Sequence, residues 1–256
     1  MAAAKITDTA KGERVVVCLS GGMDSSVCAA LAAREYDAYA VHFSYGQRTE
    51  ARELASARGV AQRLGMRQFL PLRMDLFRQI GGSALVDRSI AVPLAVSETE
   101  AAAEEMSARR GAEVPVTYVP FRNAHFLSAA VSWAEVLGAK RIYIGAVEQD
   151  SSGYPDCRPA YYEAFQQVIH TGTRDGDIKI LTPLIARNKA EIVQVGLEYK
   201  APLDLTWSCY REEQQACGTC ESCALRLRAF QAAGVPDPIP YARNAEPFAG
   251  QNAPGG

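Results

Sequence analysis

Short β-rich runs alternate with longer stretches of helical spacing along most of this chain. Apolar and β-branched residues fill Arg14 to Leu19, Ala38 to Phe43, Arg67 to Leu72, Arg141 to Gly145 and Lys179 to Leu181, which predicts five strands. Between them, helical spacing runs through Ser25 to Arg34, Thr49 to Leu64, Asn123 to Leu137 and Arg158 to Ile169. Strands alternating with helices signal a parallel sheet with crossover helices. The expected fold is therefore α/β, a doubly wound Rossmann-like sheet that binds ligands at the carboxyl ends of its strands.

The pattern weakens at three places. Residues 1–13 are small and polar, and 242–256 are rich in Gly, Pro, Asn and Ala with little to bury, so both read as tails. Between them the chain divides into an α/β domain over 14–200 and a cysteine-rich C-terminal segment over 201–241. The stretch from Gly81 to Glu113, with an apolar SIAVPLAV followed by the acidic, Ala-rich SETEAAAEEMSARRG, reads as an excursion from the sheet.

Composition narrows the function classes. With 256 residues and 48% hydrophobic content, the chain suits one full core, since single cores run to roughly 250 residues. Its 27 basic and 29 acidic residues give a net charge of -2, without the cationic excess that phosphate-backbone binders use, so no direct nucleic-acid partner is expected. No apolar run approaches the roughly 20 residues needed to cross a bilayer, and MAAAKITDTAKGER lacks the apolar stretch of a signal peptide. The expectation is a cytoplasmic protein with no membrane partner. Seven cysteines, four of them between Cys209 and Cys223, suit metal binding in a reducing compartment better than a disulfide framework.

Candidate chemistry begins directly after the first strand, at Ser20-Gly21-Gly22-Met23-Asp24-Ser25, which leads at once into an apolar helix. Two glycines permit a tight turn, and the helix aims the positive end of its dipole at whatever anion sits there. An ordinary capped turn is the plainer alternative. No Gly-Lys-Ser/Thr follows, so the loop is not a Walker A sequence. Tyr45, Gln47 and Arg48 follow the second strand, where the base or ribose of a nucleotide is expected in such a fold.

Further along, Cys209 precedes Cys217-Gly-Thr-Cys220-Glu-Ser-Cys223. Cys-x2-Cys spacing brings two sulfurs to one ion, and a four-thiolate set suits zinc best, with a redox pair or an iron-sulfur cluster as alternatives. Four-Cys zinc keeps no open coordination position, so its role would be to fasten the C-terminal helix Cys220 to Ala233. Cys18 and Cys28 read as core. The loop Ser152-Gly153-Tyr154-Pro155-Asp156-Cys157-Arg158 carries an aromatic ring, a carboxylate and a guanidinium, able to hold a planar heterocycle or simply to form a turn. Arg122 and Asn123 open one helix, where Arg122 faces an anion or Asn123 simply caps, and Lys189 opens another, an unusual place for a cation unless an anion lies nearby or the side chain is merely solvated. His42, His125 and His170 share no metal spacing.

The SGGMDS loop resembles the PP-loop signature of the ATP pyrophosphatases, which cleave ATP between the α and β phosphates and activate an oxygen as its adenylate. Taken with VPFRN, SGYPDCR, TPL followed by NKAE, and SCY followed by CGTCESC, it is similar in order and approximate spacing to the 7-cyano-7-deazaguanine synthases of the queuosine pathway, from about Val15 to Tyr241. Phe121 departs from the Gly of VPGRN in many members, and Gln149 and Ser151 vary the stretch before SGYPDCR. The resemblance implies an adenine nucleotide alpha-hydrolase-like fold and an ATP-dependent carbon-nitrogen ligase. That enzyme joins 7-carboxy-7-deazaguanine and ammonia into 7-cyano-7-deazaguanine through two adenylations, of the acid and then of the amide. It implies ATP with Mg2+ held along Leu19, Ser20, Gly21, Gly22, Met23, Asp24, Ser25, Ser26, Val27, Cys28 and Ala29 together with Tyr45, Gln47 and Arg48. Ser20, Asp24, Ser25, Arg122 and Lys189 would act in catalysis, and Tyr154, Asp156 and Arg158 on the deazaguanine edge. Cys209, Cys217, Cys220 and Cys223 would hold one structural Zn2+, and the protein would be a homodimer.

Overall fold

The computed structural model describes residues 12–95, 114–148 and 154–242. Five parallel strands form one sheet: β1 (Arg14–Cys18), β2 (Asp37–Ser44), β3 (Gln68–Arg73), β4 (Arg141–Ile144) and β5 (Lys179–Leu181), in the order β3-β2-β1-β4-β5. Each expected strand is present with its ends shifted by no more than a residue. The connecting helices are α1 (Met23–Glu35), α2 (Glu50–Arg63), the short α3 (Leu76–Ile80), α4 (Arg122–Leu137) and α5 (Pro159–Gly172), followed by α6 (Lys189–Glu198) and α7 (Glu221–Ala232).

Strand β1 shows why both faces must be covered. Its alternate residues point to opposite sides, and Val15, Val16 and Val17 are all fully buried. Val15, Val17 and Leu19 pack with residues of α1, α2, α6 and α7, whereas Val16 and Cys18 pack with α4 and α5. Burial pushes the Cys18 thiol up to about 12, which keeps it a neutral core residue.

The strand order reverses direction between β1 and β4, which pair through Val15–Arg141 to Cys18–Ile144. Helices on either side of this point cover opposite faces, leaving a crevice at the carboxyl ends of the two strands, the usual ligand position in such sheets. The Ser20 to Ser25 loop lies there.

The C-terminal segment is bound to this end of the sheet. Trp207 donates its backbone N–H to the Gly21 carbonyl at 2.8 Å. Arg226, 2% exposed, donates to both carboxylate oxygens of Asp237 at 2.7 and 2.9 Å and to the Thr206 hydroxyl at 2.7 Å, so its buried charge is paired and its donors are used. Of the excursion, 81–95 is described: Leu94 bridges to Cys220, and Ala95 donates to the Thr219 carbonyl at 2.9 Å. The acidic run, most of both tails and residues 149–153 lie outside the described residues. Among the described residues no helix is long and apolar enough to cross a membrane.

Candidate active site

The phosphate-loop candidate is shaped by close backbone contacts. Gly21 has φ +90°, and a Cβ there would lie 2.5 Å from the Glu53 carbonyl oxygen and 2.8 Å from the Ala57 nitrogen, so only glycine lets α2 approach the loop. Gly145, at the end of β4, is equally constrained, because its Cβ would meet Ser25 N at 2.7 Å and the Asp24 carbonyl carbon at 2.8 Å. Gly22 caps α1 without a side-chain hydrogen bond to the helix amides. Ser25 and Ser26 donate to the Gly22 carbonyl at 3.1 and 2.7 Å, and the Ser20 and Ser25 hydroxyls lie 2.9 Å apart. The start of α1 therefore directs its positive end at the crevice, the arrangement that suits an anion.

Lys189 reaches the same place from α6. Its Nζ lies 2.7 Å from Asp24 Oδ2, while the other Asp24 oxygen is buried with no hydrogen-bond partner among the described residues. A capping box holds the start of α6: Asn188 Oδ1 accepts from the Glu191 N–H and Glu191 Oε2 from the Asn188 N–H, each at 2.9 Å. The anion that a lysine at a helix start calls for is thus supplied by the chain itself.

Arg122 enters from the opposite side, in the first turn of α4. Its Nη1 donates to the Tyr45 hydroxyl at 2.8 Å, its guanidinium lies over the Tyr45 and Phe126 rings at 5.4 and 5.8 Å, and its Nε is buried with no hydrogen-bond partner among the described residues. The residue before it, Phe121, has φ 56° and is 60% exposed. Tyr154 donates its hydroxyl to Thr117 Oγ1 at 2.7 Å.

These groups surround one cavity of 310 Å³, whose wall includes Ser20, Asp24, Ser25, Arg122, Lys189 and Tyr154. Tyr45, Gln47 and Arg48 also line it, with their polar groups already engaged. Gln47 Oε1 accepts from the Tyr45 N–H at 2.8 Å, and Arg48 donates to the carbonyls of Ala84, Asp87 and Ile90, anchoring the excursion. Other expected residues stand back from the wall. Val27, Cys28 and Ala29 are fully buried on the core side of α1. Asp156, 3% exposed, accepts from the Asn123 N–H at 3.2 Å and so braces the start of α4 from behind; Arg158 is exposed at the start of α5.

Several wall residues were not anticipated, among them Glu53, Trp207, Tyr210 and Glu221. Glu53 was detectable in principle. It continues the buried stripe Ser56, Ala57, Val60 and Ala61 of α2, where an acidic residue is out of place on an apolar face. Its carboxyl accepts from the Thr49 hydroxyl at 2.8 Å and the Gln47 amide at 3.1 Å. Burial pushes its pKa up to about 7, against the lowering effect of those two hydrogen bonds and of Arg122.

The sulfurs of Cys209, Cys217, Cys220 and Cys223 lie within 4.8 Å of one another. Tetrahedral thiolates at zinc stand about 3.8 Å apart, from a Zn–S length of about 2.3 Å, and Cys217 and Cys223 are 3.9 Å apart. Cys209 Sγ accepts backbone N–H groups of Arg211, Glu212 and Cys217 at 3.3–3.4 Å, and Cys217 Sγ that of Cys220 at 3.3 Å. Amides aimed at sulfur stabilise thiolate, so the donor set fits a zinc site.

A 7-cyano-7-deazaguanine synthase of Acidobacterium capsulatum is 70% identical over 91% of this chain and 99% of its own length. That of Koribacter versatilis is 60% identical over 90% of this chain and 93% of its own. Among solved structures, the NH3-dependent NAD synthetase of Campylobacter jejuni superposes with a TM-score of 0.40 at 13% identity, covering 78% of this chain and 69% of that one, too loosely to carry an argument. The family model described as queuosine biosynthesis protein QueC matches residues 14–234, and the chain belongs to that family of 7-cyano-7-deazaguanine synthases.

Proposed function

We propose that this protein uses ATP to convert 7-carboxy-7-deazaguanine and ammonia into 7-cyano-7-deazaguanine, adenylating first the acid and then the amide in one site. The observation that carries the reading is the single 310 Å³ cavity, which has a helix N-terminus with Lys189 at one part of its wall and Arg122 and Tyr154 at another. ATP phosphates suit the helix N-terminus with its lysine, and a small planar acid suits a cation beside an aromatic ring; both are present.

A carboxylate resists attack because its leaving group would be oxide. Adenylation replaces that with AMP, so ammonia can add and the amide can form. Activating the amide oxygen in the same way and losing it as AMP, with loss of the two N–H protons, leaves the nitrile. The loop from Ser20 to Ser26 would hold the phosphates, with pyrophosphate as leaving group, and a Mg2+ held at Asp24 would offset the charge of the leaving group. Lys189, 2.7 Å from Asp24 Oδ2, would offset the charge that develops on the departing phosphate. Arg122, whose Nε has no hydrogen-bond partner among the described residues and whose guanidinium lies over the Tyr45 ring, would orient a carboxylate or phosphate oxygen. Tyr154 would face the deazaguanine ring, with Asp156 and Arg158 acting behind it through the start of α4 and α5. Zn2+ held by the four cysteines would be structural, its thiolate shell leaving no position for a reactant.

Incubating the protein with ATP, Mg2+, ammonium and the carboxy-deazapurine should give the nitrile by mass spectrometry, with AMP and pyrophosphate as the phosphorus products. A mixture containing neither amide nor nitrile would sink the proposal.

A further inference from the structure

Glu53 lies on the face of α2 that carries the buried Ser56, Ala57, Val60 and Ala61, one turn after Glu50, and it opens onto the cavity directly behind the phosphate loop, where its own backbone carbonyl packs against Gly21. Its surroundings suit two protonation states equally. When it is ionised, the Thr49 hydroxyl and the Gln47 amide both donate to it, at 2.8 and 3.1 Å. When it is protonated, its O–H can donate to Thr49 Oγ1, and the Thr49 hydroxyl turns to the Cys209 carbonyl, 3.2 Å away. Only hydrogens move between the two states. A buried carboxyl serving structure alone needs one such arrangement, whereas a group that gains and loses a proton needs both.

We propose that Glu53 is the proton acceptor that turns ammonium into the ammonia nucleophile inside the cavity, with Thr49 and Gln47 holding its carboxyl in both states. The inference rests on the ammonia-dependent reaction proposed above. Ammonium predominates at neutral pH and has no lone pair with which to attack. One N–H proton passes to the Glu53 carboxylate, and the freed lone pair forms the C–N bond as the C–O bond to AMP breaks, AMP leaving with the electron pair. The second proton leaves the new nitrogen for the departing phosphate, and Glu53 returns its own to water before the next turnover.

An ordinary glutamate is too weak a base for this step, and the burial that raises Glu53 to about 7 brings it near the working pH. Arg122 from α4 pulls that value down and Glu50 on the same helix pushes it up. The rest of the wall adds the Asp24–Lys189 pair, Arg48, Arg226, Glu221 and the phenols of Tyr45, Tyr154, Tyr162 and Tyr210.

The test is the dependence of amide formation on pH and nucleophile, in wild type and Glu53→Gln. For wild type, kcat/KM for total ammonium should rise to about pH 7 and then level off until ammonium itself deprotonates. In Glu53→Gln it should fall by about 100-fold or more at neutral pH and climb tenfold per pH unit without that plateau. Hydroxylamine, neutral at the same pH, should be converted to the hydroxamate by the variant at close to the wild-type rate. Exchange of pyrophosphate into ATP, driven by the acid, should persist in the variant.

A wild-type profile that climbs through the plateau region would overturn the proposal even if the variant did not fold. So would a variant that loses ammonium and hydroxylamine reactions alike, or keeps both. Wild type that shows neither exchange nor amide would instead bring down the reaction on which the proposal rests.

Discussion

Arg122 can reach the cavity from the first turn of α4 because Phe121 takes a left-handed backbone conformation, φ 56°, immediately before the helix. That conformation crowds the Cβ of an L-residue against the backbone, at a cost of about 1–2 kcal/mol, and the 60% exposed ring recovers little of it by burial. The departure of Phe121 from a family glycine therefore has a definite physical meaning. Phe121→Gly should stabilise the protein by about 0.5–1 kcal/mol, the relief of strain less the extra chain entropy of glycine; an unchanged urea midpoint would show that the ring contact with His125 offsets the strain. Residue type and spacing made Lys189 and Arg122 visible as candidates for anion contact. They could not show that Asp156 accepts from Asn123, behind the cavity wall, because that depends on where α4 lies relative to a loop more than thirty residues away. Glu53 escaped notice for the opposite reason: its place on an apolar stripe is a local signal, but only the packing of α2 against Gly21 turns that stripe toward a ligand site.

At the scale of elements, the five strands were legible to within a residue and the helices α1, α2, α4 and α5 to within three, since each buries a face whose period is written in the apolar positions. The short α3 and the two 3-10 turns, Pro155–Cys157 and Leu203–Leu205, were not, because three to five residues carry too little periodicity to stand out. The contact of β4 with the phosphate loop was equally hidden. Gly145→Ala would place a methyl group against Ser25 N and the Asp24 carbonyl carbon, both backbone atoms, so the loop must move. Since a displacement near 1 Å at a reacting group can cost about 100-fold, we expect a loss of ATP-dependent turnover on that order while circular dichroism keeps its helical signal. Turnover at the wild-type level would show that α1 shifts as a unit without disturbing its ligand.

At the scale of the whole molecule, the cysteine segment is part of the site rather than an appendage. Trp207 holds the Gly21 carbonyl, Thr49 reaches the Cys209 carbonyl at 3.2 Å, and Tyr210 and Glu221 line the cavity. Cys220→Ala should therefore lose the metal, about one zinc per chain by elemental analysis in wild type, and weaken ATP binding measured by calorimetry as well. Retention of nucleotide affinity by a metal-free but folded variant would separate the two sites. The sequence by itself determined the α/β class, the position of the Gly-rich turn between β1 and α1 and the four-cysteine set, because each depends on periodicity or on spacing within a short span. Only the tertiary structure decided which side chains share the cavity: the reversal of strand order between β1 and β4 opens the crevice, and groups as far apart in the chain as Asp24 and Lys189 meet there through packing that no local pattern encodes.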